Sequence, residues 1–162
     1  MALNAYLRLT GETQGEIKGS VTQAGREDSI EINGFNHEVI SPRDAASGLP
    51  TGKRQHKPIV VTKPIDRATP LLMSVLTNNE NITGWRLDFW RPSRSGREFQ
   101  YYTIELVNAS IVDIRQEMLN NKYPENMALE VREHCAFTYQ KIIWIWQDGG
   151  ITAEDDWEAP NV

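Results

Sequence analysis

Cys135 follows His134 directly, and a thiol beside an imidazole is a pairing that can generate a nucleophilic thiolate. In a strand, however, successive side chains point to opposite faces, so these two groups diverge and cysteine hydrolysis is the weaker reading. His37, His56 and His134 have the right chemistry for metal ligands, but their spacing matches no established zinc pattern, and they read as surface or hydrogen-bonded histidines. The carboxylates are scattered singly or gathered in the late run Glu154-Asp155-Asp156, which singles out no general acid and base. No glycine-rich phosphate loop follows a strand, and no nucleophile elbow is present. The expectation is therefore a protein that is not an enzyme, with no metal and no cofactor. Two binding chemistries remain. Trp85, Trp90, Trp144 and Trp146 could stack on sugars, although alternating aromatics in strands are more simply core or interface. Lys53, Arg54, His56 and Lys57 could meet a phosphate, but a solvated loop end is the simpler reading.

The elements that would position these residues are organised around 57–79. Ile59, Val60 and Val61 form a β-branched run that Pro64 ends. Pro70 then belongs in the first turn of a helix with Thr69 as its N-cap, and Leu71, Leu72, Val75 and Leu76 make one apolar stripe that exits at Asn78 and Asn79. A helix of about ten residues is marginal alone, so the rest of the chain must cover the stripe.

Almost everything else reads as strand. Residues 3–9 alternate, with Leu3, Ala5, Leu7 and Leu9 on one face, and residues 29–32 form a short strand that 37–40 can extend after a bend at Gly34. Residues 82–90 and 99–106 make a hairpin across a polar turn, and 109–115 completes a meander. Residues 127–133 and 136–146 are the last strands. The final one, with Ile142, Ile143, Trp144, Ile145 and Trp146, is apolar enough to be covered on both faces. Between the early strands, 41–56 is a long excursion with only Leu49 as a large apolar residue; loops of this length in a compact domain are usually functional or disordered.

The whole reads as a mainly β protein, a compact β-barrel of two packed antiparallel sheets with one short flanking helix and a long early loop. One domain is expected over 1–148, followed by an acidic, mobile tail at 149–162. At 162 residues and 40% hydrophobic content the chain supports one sizeable core. A net charge of -5 argues against a nucleic-acid binder or a basic membrane patch. A single cysteine excludes an internal disulfide framework and suits a reducing compartment. The N-terminus lacks the features of a Sec signal or a spanning helix, so any export is expected to use another route. Trp90, Tyr102 and the last strand offer more apolar surface than one small barrel hides, which points to contact between subunits.

The run Ile59-Val60-Val61-Thr62-Lys63-Pro64-Ile65-Asp66-Arg67-Ala68-Thr69-Pro70-Leu71-Leu72 resembles the strand, Lys, Asp, Ser/Thr-Pro and leucine-rich helix of the haemolysin-coregulated protein (Hcp) family, the tube subunit of the bacterial type VI secretion system. Residues 101–109 and 2–9 are similar to that family's second meander strand and first strand. The resemblance covers nearly the whole chain. It implies six copies closed into a ring, rings stacked into a tube, and ejection of that tube by a contractile sheath behind a spike, with small effector proteins carried in the lumen. It implies assembly in the cytoplasm followed by secretion through the type VI machine, without membrane insertion. It assigns Pro42, Arg43, Asp44, Leu49, Lys53, Arg54 and His56 to a loop that reaches the neighbouring ring. A toxin domain, found after the barrel in some members, is not expected here.

Overall fold

A computed structural model describes residues 3–157 of the chain. The polypeptide runs through β1 (Ala5–Gly11), β2 (Gly15–Ile17), β3 (Ile30–Ile32), β4 (Gly34–Asn36), β5 (Val39–Ile40), β6 (Gln55–His56), β7 (Ile59–Pro64), α1 (Thr69–Thr77), β8 (Ile82–Pro92), β9 (Glu98–Val107), β10 (Ser110–Glu117), β11 (Arg132–Thr138), β12 (Lys141–Trp146) and β13 (Ile151–Asp156). Seven strands form one antiparallel sheet in the order β13-β12-β9-β8-β1-β2, with β3 also paired to β1, and four form a second in the order β10-β11-β7-β4. The expected class, packed antiparallel sheets with one flanking helix, is what the chain adopts.

Alternation explains why the sheets close on one another. Leu7, Leu9, Leu87 and Ile104 of the large sheet, Ile59, Val61 and Phe137 of the small one, and Leu72 and Val75 of α1 share one core. Trp85 meets Phe137 edge to face across the sheets at 5.5 Å. Two backbone crossings stitch them together: the Asn33 N–H donates to Thr62 O at 2.8 Å, and Ile82 pairs with Ala109.

Four expectations on individual elements are corrected. Ala68, not Thr69, caps α1, and Thr69 lies inside the helix. The Thr69 hydroxyl is drawn inward to the buried Glu133 carboxylate at 3.0 Å, because a buried charge needs every available partner. The strand after β9 does not complete a meander: Asn108 adopts a positive φ of 51°, and β10 crosses to the second sheet, leaving β9 to pair with β12. Residues 127–131 are an exposed loop, and one continuous strand runs through Arg132–Thr138 where two strands were expected to break. Finally, the acidic segment from 151 to 156 is not a mobile tail. It is β13, an edge strand paired to β12 from Trp146–Ile151 through Lys141–Asp156. The rest of the expected tail, 158–162, lies outside the described residues.

Candidate assembly surfaces

The 41–56 excursion is a hairpin arm with a fixed root. Val39 pairs with His56 and Ile40 with Gln55, Arg43 bridges to Pro50 farther out, and the Thr51 N–H donates to Pro42 O at 3.0 Å. At the tip the Asp44 carboxylate accepts the Ala46 N–H at 2.7 Å, and Gly48 takes a positive φ of 72° that closes the turn. Of the residues assigned to this loop, Arg43, Asp44, Leu49 and Lys53 are exposed on the arm, with Leu49 at 64%. Pro42 is half-buried. Arg54 and His56 do something different, since they hold the root.

The anchor is a chain of hydrogen bonds between elements far apart in sequence. His56 Nε2 lies 2.6 Å from Asp155 Oδ2, where Arg54 Nε also donates, and the His56 side chain is 1% exposed. His56 Nδ1 lies 2.8 Å from the Tyr139 hydroxyl, which is 2.7 Å from His37 Nε2. An ionised Asp155 sets the direction: His56 Nε2–H donates to the carboxylate, Tyr139 donates to His56 Nδ1, and His37 Nε2–H donates to the tyrosine oxygen. The Arg54 hydrogen bond holds the Asp155 carboxyl below the usual carboxylate range. Burial lowers the pKa of His37, with the neighbouring His56 adding to the shift, and burial raises that of Tyr139. The indole N–H of Trp157 donates to Tyr139 O and closes the far side. The loop end is therefore anchored rather than solvated, and nothing local in the sequence reveals a partner 99 positions away.

The Cys135-His134 pair diverges, as strand geometry requires. Cys135 is fully buried, and burial pushes its thiol up to about 12, which leaves no thiolate near neutrality. His134 turns the other way, between Thr62 Oγ1 at 2.9 Å and Glu117 Oε1 at 3.0 Å. The Glu117 carboxyl, bound by His134 and Arg132, falls to about 2. On the inner face sits a cluster that the sequence had not singled out as a site: Lys63 pairs with Glu133 and, at 3.0 Å, with Asp66, and its Nζ donates to Thr69 Oγ1 at 3.2 Å. Both Lys63 and Glu133 are wholly buried, so the cluster is a structural brace between β7, α1 and β11. Among the described residues no group of three or more His, Cys, Asp or Glu is arranged to hold a metal ion.

The tryptophans do not share one platform. Trp85 is core; Trp90 lies under the Arg26 guanidinium at 4.4 Å; Trp144 packs on the core from its margin; Trp146 is 37% exposed beside Arg91. The last long strand, expected to be covered on both faces, is fully covered only at Ile142, with Ile143, Trp144 and Ile145 half-buried. Two sheet edges carry the surplus apolar surface. One is the β12–β13 edge, with Trp146 and Ile151. The other is β10, with Val112 and, just past its end, Met118; Met127, Leu129 and Val131 are exposed in the loop beyond, where Leu129 lies beside Pro64.

Against known proteins, the model of the family "Type VI secretion system effector, Hcp" matches residues 6–146. The chain is similar to the major exported protein of Pseudomonas aeruginosa, with 43% identity over 169 aligned residues covering 99% of this chain and 98% of that one. Among solved structures, a crystal structure of an Hcp protein superposes with a TM-score of 0.90 at 28% identity, covering 97% of this chain and 99% of the other. Secreted protein Hcp3 from Pseudomonas aeruginosa superposes with a TM-score of 0.79 at 36% identity, covering 96% and 99%. With a family match across most of its length, and a relative this similar from end to end, the chain belongs to the Hcp family of type VI secretion system proteins.

Proposed function

We propose that this protein is the building block of the type VI inner tube: six copies close into a ring, and rings stack into a tube that sheath and spike proteins drive out of the cell. Small effector proteins ride in the lumen. Assembly takes place in the cytoplasm and export follows through the type VI machine itself. The role is structural and carrier-like, without catalysis.

The observation that carries this reading is the pair of unsealed sheet edges. β13 and β10 each pair on one side only, and each carries an exposed apolar residue, Ile151 at 68% and Val112 at 47%. Such edges are aggregation liabilities in a solitary protein and are stabilising when a neighbour covers them. Because the two edges belong to different sheets and differ in composition, one copy's β13 rim meets another's β10 rim in a heterologous contact, and contacts of that type close into rings when the rotation permits.

Light scattering coupled to size exclusion, with electron microscopy of the same fractions, tests the reading. The expected result is a particle of about six chains with a central hole. A monomer that persists at high concentration overturns it.

A further inference from the structure

The charges of this acidic protein are sorted along the strands of the large sheet. Three arginines, Arg91, Arg94 and Arg97, fall within the β8–β9 turn region. The register places that turn at one end of the sheet, beside Trp146 and Ile151, since Pro92 pairs with Glu98, Tyr102 with Trp146, and Trp146 with Ile151. Among the described residues no carboxylate pairs with any of the three. Glu98, the nearest in sequence, is taken by Arg26 at 2.7 Å, and Asp148 in the β12–β13 connection only partly offsets the positive charge. Arg91 is also pre-oriented: its guanidinium lies 4.5 Å from the Tyr101 ring centroid, 5.4 Å from Trp146 and 5.5 Å from Phe99. Rings on its faces leave the N–H edges free to grip a carboxylate.

The opposite end of the same sheet carries the complement. Gly11 pairs with both Gly15 and Ile82, which brings the β1–β2 turn and the α1–β8 connection together there. Glu12 and Glu80 stand on these two turns and Glu16 on β2, opposite Thr10, and none has a cationic partner among the described residues. Glu80 is fixed in place: its Oε2 accepts the Gln14 N–H at 3.2 Å and fills the space above Gly11, where any Cβ would lie 2.0 Å from it. Lys141, at this end opposite Val107, is already matched by Glu154. The basic and acidic ends are separated by the length of β8, roughly 35 Å for 11 residues at ~3.3 Å each.

We propose that copies of this chain join end to end through a charge contact, in which the Arg91-Arg94-Arg97 turn of one copy meets Glu12, Glu16 and Glu80 of the next. The contact is polar, since like ends repel, so it admits only one direction of growth and builds a filament along the strand axis. It rests on the ring-and-tube reading and adds the surface that orders one ring on another. The arm at 41–56 is a separate feature, although its anchor Asp155 lies near the acidic end, opposite Ile142.

The test uses two variants of the full chain, each purified alone and viewed by electron microscopy. Arg94→Glu/Arg97→Glu makes both ends acidic, and Glu12→Lys/Glu16→Lys makes both ends basic; all four positions are exposed. Each variant is expected to form rings whose stacked fraction falls about tenfold or more, and an equimolar mixture is expected to stack again with the two ring types alternating. For the unaltered protein, stacking is expected to weaken as salt rises from about 0.02 M to about 0.5 M. Rings that stack equally well in either variant, or stacking of the unaltered protein that is indifferent to salt, overturn the charge contact while leaving the ring reading intact. Absence of rings in the unaltered protein overturns the ring reading itself.

Discussion

His56 and Asp155 meet at 2.6 Å across 99 positions of sequence, and that one bond fastens the root of the 41–56 arm to the last strand of the large sheet. With Arg54 on the same carboxylate and Tyr139 and His37 beyond, it lets an exposed arm project from a rigid base.

Removing the carboxylate is expected to free the root. Asp155→Asn leaves Arg54 and His56 with a neutral partner, and at this half-exposed site the loss is about 1 kcal/mol after solvent screening. That energy corresponds to a roughly fivefold rise in the open population. Limited trypsin cleavage after Arg54 reads it out, because cleavage of a fast-opening segment follows that population. An unchanged cleavage rate would show that the arm is held some other way.

The same anchor is expected to loosen in acid. His37 has its pKa lowered from 6.5 in the fold, so the unfolded or released state binds the proton more readily. The stabilisation is complete above pH 6.5 and declines as pH falls through the lowered value. Asp155, lowered from 3.8, adds a second loss below that pH. His37→Gln should abolish the first limb of the tryptic pH profile and leave the second. A profile identical in the variant and the unaltered protein would remove His37 from the device.

How much of this was legible in the sequence depends on the range of the interaction. The β7-to-α1 corner was readable because Ile59-Val60-Val61, Pro64 and Pro70 act within a few residues of themselves. The hairpin of β8 and β9 was readable for the same reason. The acidic segment was misread as a tail because Glu154, Asp155 and Asp156 look solvated until Lys141, Arg54 and the β12 edge are known to lie beside them. Met127–Val131 has strand-like composition but no neighbouring strand to pair with. The seven loop residues were grouped by resemblance alone, and the separation into arm and anchor depends on contacts no local pattern encodes. Thr69 was placed as a cap because its role with Lys63 and Glu133 requires β11, 64 positions away.

The buried brace gives a sharp stability prediction. Lys63→Met leaves the Glu133 carboxyl without its cation in a site with no solvent, and is expected to cost about 3–5 kcal/mol in urea or guanidinium unfolding. Glu133→Leu alone should cost a similar amount. The double variant Lys63→Met/Glu133→Leu should recover most of that loss, since an apolar pair of similar volume needs no desolvation. If the double variant is as unstable as the sum of the singles, the two residues are not acting as a pair.

Cys135 is expected to be inert. Its thiol is buried and raised to about 12, so at neutral pH iodoacetamide should label it only as fast as the protein opens, and at full speed in denaturant. Cys135→Ala should retain the assembly state of the unaltered protein. Rapid labelling of the native protein, together with a hydrolytic activity lost in Cys135→Ala, would revive the nucleophile reading.

Shortening the arm separates its role from that of the sheet edges. Replacing 43–53 with a tight turn keeps Arg54, His56 and the β5–β6 pairing, and touches neither β10 nor β13. Ring formation should therefore survive, with light scattering still reporting about six chains. Stacking should be impaired, because Arg43, Asp44, Leu49 and Lys53 are exposed on the arm and no longer present a surface to the next ring. A lysine placed on the rim, as in Ile151→Lys, should do the reverse and weaken the ring itself, since it puts a charge into the apolar edge that a neighbour must cover. Long tubes from the shortened protein, seen by electron microscopy, would show that the arm has no part in stacking and that the sheet ends alone carry it.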